Sequence, residues 1–157
     1  MFSKFKDYLL NLIFPIECLG CNQAKIWLCQ NCFEKIKLNH QFNCPFCGSC
    51  SFLGQTCFKC QKKFSLKGIW VAADFKQELL KQMIYNFKYN SIIELGNYLG
   101  EILIKFLKLK ILATDSEFLN FDLIIPIPLH YKKLLFRGFN QAEILSKNLT
   151  KEFSFFT

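Results

Sequence analysis

The chain has 157 residues, room for one ordinary domain or for a small metal domain followed by a modest second one. No uncharged apolar stretch is long enough to span a bilayer, because Glu94, Glu101, Lys105, Lys108 and Lys110 interrupt the longest candidate, so insertion into a membrane is excluded. The formal charge of +8 does not by itself make a nucleic-acid binder: eight metal-bound thiolates would subtract eight charges and two zinc ions return four, leaving a mildly basic +4. The 19 phenylalanines accompany abundant Ile, Asn and Lys and a single arginine, Arg137, a bias that looks like AT-rich coding and reads as drift plus core rather than base-stacking platforms.

Residues 1–17 place Lys4 and Lys6 ahead of an apolar run, as a signal peptide would. Asp7, Asn11 and Pro15 interrupt that run and no small-residue cleavage site follows, so the expectation is a short amphipathic helix packed on a neighbour.

Eight of the nine cysteines then fall into four Cys-x-x-Cys knuckles, Cys18/Cys21, Cys29/Cys32, Cys44/Cys47 and Cys57/Cys60, which define a double zinc ribbon over 18–62. Each knuckle turns two thiolates to one side of a tight loop, and two knuckles close a tetrahedral cage with Zn–S bonds of about 2.3 Å. A redox pair would sit at a helix start within a βαβ pattern, and a disulfide framework would suit a secreted chain; neither setting is present. Four thiolates per ion leave no position for a catalytic water, so two zinc ions would be structural. Sequential pairing of knuckles closes the shortest loops, while interleaved pairing stays open. Cys50 is a bystander thiol, and His40 could replace a cysteine but is not needed. The block has too few large apolar residues to fold on a hydrophobic core, which couples its folding to the metal. Reduced cysteines at this spacing point to the cytoplasm.

A polar connector over 61–67 marks a domain boundary, with a second domain over 68–157. Residues 68–75 (GIWVAADF) read as a strand. A helix follows with Leu79, Leu80, Met83, Ile84 and Phe87 on one face, then a second with Leu95, Leu99, Ile102, Leu103 and Phe106, Lys105 and Lys108 suiting its C-terminal end. Residues 114–121 read as an acidic loop. Residues 122–128 (DLIIPIP) form a short apolar run expected of a buried strand, which Pro126 and Pro128 must end or confine to an edge. A basic loop over 129–139 leads to a helix that Asn140 caps, with Glu143 completing a capping box and Ala142, Leu145, Leu149 and Phe153 facing inward. Strand, basic loop and capped helix make an anion-binding arrangement: the helix N-terminus, Gly138 for close backbone approach, the Arg137 fork, and Lys132 and Lys133 as point charges. The simpler alternative is a solvated loop, and His130 alone reads as structural or exposed.

Taken together, the paired knuckles (CLGC, CQNC, CPFCG, CFKC), Phe87-Lys88-Tyr89 and the stretch IPIPLHYKKLLFRGFNQAEILS over 125–146 resemble the ComF family, also called GntX-like, of competence-associated bacterial proteins. The resemblance implies an α/β fold, a double zinc ribbon followed by the first part of a type I phosphoribosyltransferase-like fold with an incomplete sheet. It also implies a role in DNA uptake, natural transformation or DNA utilisation, with single-stranded DNA or a competence helicase-type protein as partners. Of the phosphate or pyrophosphate candidates Arg137, Gly138, Asn140 and Lys133, the resemblance carries over Arg137 and Gly138, in the loop after the first core strand. The phosphoribosyl pyrophosphate motif of the family, an apolar strand ending in two acidic residues before a Thr/Gly-rich loop, has no counterpart; Asp115 and Glu117 follow no such strand. The expectation is a shortened chain or one half of a split protein, without catalysis by itself, in which phosphoribosyl pyrophosphate and magnesium bind only if a complementing C-terminal fragment is supplied. The other reading is a zinc-ribbon binding module for single-stranded DNA or a protein partner.

Overall fold

The computed structural model of the chain describes residues 15–113 and 123–153. The expected amphipathic helix over 1–17 and the acidic loop over 114–121 therefore lie almost wholly outside the described residues. The chain divides into two compact units, one formed by Lys37–Asp74 and the other by the residues before and after it, Met1–Ile36 and Phe75–Thr157. This division cuts through the 18–62 segment, so the four knuckles fall two to each unit.

In the larger unit, α1 (Gln30–Phe33) is a single turn begun at Cys29. Three longer helices follow: α3 (Glu78–Tyr89), α4 (Leu95–Ala113) and α6 (Gln141–Phe153). The helical period read from the sequence is borne out for α3 and α4, where Leu80, Met83 and Phe87 and then Leu95, Leu99, Ile102 and Phe106 are buried. α4 packs against both α3 and α6. Its approach to α6 depends on two glycines one turn apart. A Cβ on Gly96 would stand 2.7 Å from the Ile144 methyl, and one on Gly100 would stand 2.9 Å from the Asn148 Cβ. Asn148 Nδ2 donates to the Gly96 carbonyl at 3.0 Å, and Lys108 pairs with Glu152. Ile144, Asn148 and Glu152, spaced by four, thus turn toward α4. The expected inward face of α6 is corrected accordingly: Gln141 and Ser146 are its buried residues, while Ala142, Leu145, Leu149 and Phe153 are only half-buried.

The smaller unit is held by isolated antiparallel bridges, Leu38 to Ala73, Asn43 to Cys50 and Gln55 to Gly68, with a 3-10 turn at Phe52–Gly54 and one helical turn, α2 (Phe58–Gln61). Gly54, at φ 72°, needs the left-handed region, and a Cβ there would meet the Ile69 carbonyl oxygen. Thr56 is buried, donating its hydroxyl to the Leu66 carbonyl, and the Trp70 indole donates to the Leu53 carbonyl at 2.6 Å.

Among the described residues no strand longer than a bridge forms. The strand expected over 68–75 is two separate bridge positions, Gly68 and Ala73. Its residues Ile69, Val71 and Phe75 stand about half exposed, so β-branched composition alone did not recruit a neighbouring strand. The buried strand expected over 122–128 is not formed: Leu123 is a single bridge residue and 124–128 take no regular secondary structure.

The basic loop expected over 129–139 is instead mostly α5 (Tyr131–Arg137). The sequence carries both punctuation marks of a helix here. The His130 side chain accepts from the Lys132 N–H, and Gly138 at φ 77° closes the C-terminus by donating to the Leu134 carbonyl at 2.8 Å.

Candidate metal centres and the turn before α6

Two sets of four cysteines come together, Cys18, Cys21, Cys29 and Cys32 in the larger unit and Cys44, Cys47, Cys57 and Cys60 in the smaller, with all sulfurs of a set within 4.8 Å of one another. The pairing left open by the sequence is therefore sequential. A tetrahedron with metal–sulfur bonds of about 2.3 Å has edges of about 3.8 Å, and the Cys21–Cys29 and Cys47–Cys57 sulfur pairs stand at 3.5 and 3.6 Å. These are far beyond a disulfide bond of about 2.05 Å, and all nine cysteines are free thiols. The donor set and its spacing fit one zinc ion per cluster.

The two clusters are built by the same backbone device. Cys18 N–H donates to the Gln23 carbonyl and Cys44 N–H to the Ser49 carbonyl; Lys25 N–H reaches the Ile16 carbonyl and Ser51 N–H the Phe42 carbonyl. The bridges Glu17 to Ala24 and Asn43 to Cys50 coincide in this correspondence. Cys50 thus stands where the first cluster has Ala24, a bridge position outside the sulfur cage, and His40 lies outside it as well. In each cluster the third cysteine caps a helical turn and donates its N–H to the first sulfur, Cys29 to Cys18 at 3.3 Å and Cys57 to Cys44 at 3.4 Å.

Those N–H bonds set the charge. Burial pushes the Cys18 thiol up, but the backbone N–H groups of Cys29, Gly20 and Cys21 together outweigh it and bring the group down to about 6. Burial likewise opposes ionisation of Cys44, and the N–H groups of Cys47, Cys57 and Phe46 bring it down to about 6. The last cysteine of each cluster goes the other way. Cys32 is pushed up to about 12 by hydrogen bonding to Cys29, then by burial, and Cys60 to about 12 by burial, then by its sulfur neighbours. Four thiolates at this distance repel one another, so full ionisation calls for a cation at the centre.

Two glycines escaped the sequence reading. A Cβ at Gly20 would lie 2.7 Å from the Cys32 sulfur, and Gly48, at φ 72°, turns the third knuckle. The signal was their place within or next to a knuckle. Phe33, directly after Cys32, also matters: its ring lies 6.2 Å from that of Tyr98, and the Lys105 ammonium sits 4.2 Å above it.

Around α5 and α6 the phosphate candidates are placed as follows. Lys133 is exposed on α5. The Arg137 guanidinium lies 5.1 Å from the centre of the Tyr89 ring and donates to Gln141 Oε1 at 3.0 Å. Gly138 has open space where a Cβ would be. Asn140 caps α6 by accepting from Ala142 N–H at 3.1 Å, and its Nδ2 donates to the Ile127 carbonyl at 3.2 Å. The capping box is not completed, because Glu143 pairs with Lys147 instead. Gln141 Nε2 is buried without a hydrogen-bond partner. Phe139 meets Phe87 with ring centres 5.3 Å apart, so the segments 87–89 and 137–140, distant in sequence, form one contact.

Competence protein F of Haemophilus influenzae is 27% identical over 146 residues, a match covering 88% of this chain and 61% of that protein. The chain is similar to competence protein F. This match and the two four-cysteine clusters bear out the ComF resemblance and the double zinc ribbon. The chain spans 61% of the length of its competence protein F relative. No family model and no solved structure matches the chain. Among the described residues no helix is long and apolar enough to cross a membrane.

Proposed function

We propose that the chain is the zinc-anchored part of a competence-associated protein of phosphoribosyltransferase-like design, serving DNA uptake, natural transformation or DNA utilisation in the cytoplasm. The observation that carries this reading is the pair of four-sulfur clusters in a chain that matches competence protein F over 88% of its length. The zinc ions organise structure and do no chemistry, since each would be closed by four thiolates.

The turn before α6 is the proposed phosphate or pyrophosphate site, using Arg137, Gly138, Asn140 and Lys133. In its favour are the open space beside Gly138, the N-terminus of a 13-residue helix, and the unsatisfied buried amide of Gln141 next to Arg137. Arg137 is held against Tyr89, which presets its fork. Phosphoribosyl pyrophosphate and magnesium would further need carboxylates for the ribose hydroxyls and the ion, and these would come from polypeptide beyond the matched region. The chain is proposed to be inactive by itself. Thermal stabilisation by phosphoribosyl pyrophosphate, lost in Arg137→Ala, tests the site; no shift in the presence of the complementing polypeptide contradicts it.

A second reading has its own observation. In the Lys37–Asp74 unit, Phe52 and Phe58 are 65% and 74% exposed, Phe46 and Phe64 stack at 3.8 Å while partly exposed, and Lys62 lies 4.8 Å above the Phe58 ring. Five lysines share this unit with one acidic residue, Asp74. Exposed rings among cations suit single-stranded DNA or a protein partner such as a competence helicase. Oligonucleotide binding with a steep salt dependence supports this reading, and salt-independent or absent binding removes it.

A further inference from the structure

α3 has two unlike faces. Leu80, Met83 and Phe87 are buried, while Glu78, Lys81, Tyr85 and Tyr89 follow one another along the outer side at helical spacing. The outer face of an amphipathic helix is ordinarily polar, yet Tyr85 and Tyr89 stand there 57% and 48% exposed, their ring centres 5.0 Å apart and the planes tilted by 46°. Phe75, just ahead of the helix, is 56% exposed. These three rings line one cavity of about 300 Å³ together with Glu78, Lys81 and Lys88. That volume sits at the small end of the range for small-molecule sites, about 300–1,000 Å³. The charges around it are unequal. Lys81 lies 3.7 Å from Glu78, which leaves Lys88 half-buried in the wall with no carboxylate partner among the described residues. Arg137 borders the cavity as a third cation, its guanidinium 5.1 Å from the centre of the Tyr89 ring. Three cations against one carboxylate favour an anion.

We propose that this cavity binds a small planar aromatic anion of the size of a nucleoside monophosphate, its ring laid against Tyr85, Tyr89 and Phe75 and its anionic group on Lys88. The ring follows from the walls: three half-bare aromatic side chains in one concavity gain most from a flat partner that covers their faces and displaces water. The anion follows from Lys88, whose charge is held in the wall without a counterion. A single strand of DNA, by contrast, tracks a groove and stacks successive bases on successive platforms, whereas one concavity on one helix has room for one base. The site is distinct from the phosphate turn, since Lys133, Gly138 and Asn140 do not line it. The two neighbour each other through Tyr89, which walls the cavity and lies beneath Arg137. The inference therefore adds a ligand site beyond the proposed function and does not depend on it.

The test is an NMR titration of the zinc-loaded chain with adenosine 5′-monophosphate, run beside adenosine, ribose 5-phosphate, inorganic pyrophosphate and a short oligothymidylate. The expected result is saturable shifts of the Tyr85, Lys88 and Tyr89 amides with the monophosphate, and binding about tenfold weaker for adenosine and for ribose 5-phosphate, each of which lacks one of the two contacts. Tyr85→Ala should weaken the monophosphate about tenfold, as loss of one stacked ring would, while Tyr85→Phe retains it; helix content by circular dichroism should be unchanged in both. Lys88→Gln should weaken the monophosphate and leave adenosine alone. Absence of saturable shifts at these amides overturns the proposal, as does full affinity in Tyr85→Ala or equal affinity for adenosine. Binding of the oligothymidylate without the monophosphate also overturns it, because the occupant is then a strand, and shifts that grow with the concentration of the chain alone assign the face to a second copy. Pyrophosphate binding that is lost in Arg137→Ala and kept in Tyr85→Ala reports on the phosphate turn by itself, so the two proposals fail separately.

Discussion

The two cysteine clusters share their hydrogen bonds almost atom for atom, yet their surroundings differ. Around the first, Cys18, Cys29 and Cys32 are buried with Leu28 and Phe33, in a unit that also holds α3, α4 and α6. Around the second only Cys44 among the four ligands is buried, and the 38 residues of Lys37–Asp74 add little beyond Leu53, Gly54 and Thr56. Local backbone geometry can therefore be duplicated without duplicating its support. The first cluster is braced by an apolar core; the second must draw most of its order from the metal.

Chelation should separate them most sharply. Structural zinc contributes on the order of 10 kcal/mol or more to a small domain, so metal removal should strip amide protection from all of Lys37–Asp74 while α3 and α4 stay protected. Equal loss across both units would break the comparison. Phe33→Ala acts on the first cluster alone: removing a buried ring costs about 3–5 kcal/mol, and denaturant melts should show the larger unit weakened while the zinc affinity of the second cluster is unchanged. Gly54→Ala is the reciprocal change. A left-handed residue pressed against the Ile69 carbonyl carries a strain of about 1–3 kcal/mol, which should appear as faster zinc release from the second cluster only. Gly138→Ala, with open space around it, should cost less than Gly54→Ala in the same melts. The smallest effect is expected from Lys105→Ala, where loss of the cation over the Phe33 ring is worth about 0.5–1 kcal/mol. A shift in the smaller unit from that substitution would show that the two clusters are not independent.

The cysteine spacing was legible in the sequence because four repeats of one knuckle leave few other readings, and the buried faces of α3 and α4 because their apolar residues keep a 3.6-residue period. Which knuckles share a cage was not legible, since Cys-x-x-Cys is the same signal in either pairing and only the backbone bonds from Cys29 and Cys57 decide it. The strand at 68–75 was misjudged because its composition records a preference for extended backbone, whereas a strand also needs a neighbour. α5 was hidden by its charges: Lys132, Lys133 and Arg137 suggested a solvated loop, while His130 and Gly138 were the cap residues. The inward face of α6 shifted because Gly96 and Gly100 let Ile144 and Asn148 come close, a contact set by the partner helix rather than by α6 itself. At the turn before α6, Gly138 and Asn140 were recognisable, but the placement of the Arg137 guanidinium over the Tyr89 ring joins residues 48 positions apart and no local pattern announces it.

The central claim is that paired thiolate turns grip two metal ions, one in each unit. Elemental analysis combined with X-ray absorption on gently purified protein tests it most directly. The account predicts two zinc ions per chain, each with four sulfur ligands at about 2.3 Å, falling to one in Cys60→Ser with the first site intact. Less than one zinc per chain, or a first shell containing nitrogen or oxygen in the unsubstituted protein, would contradict it.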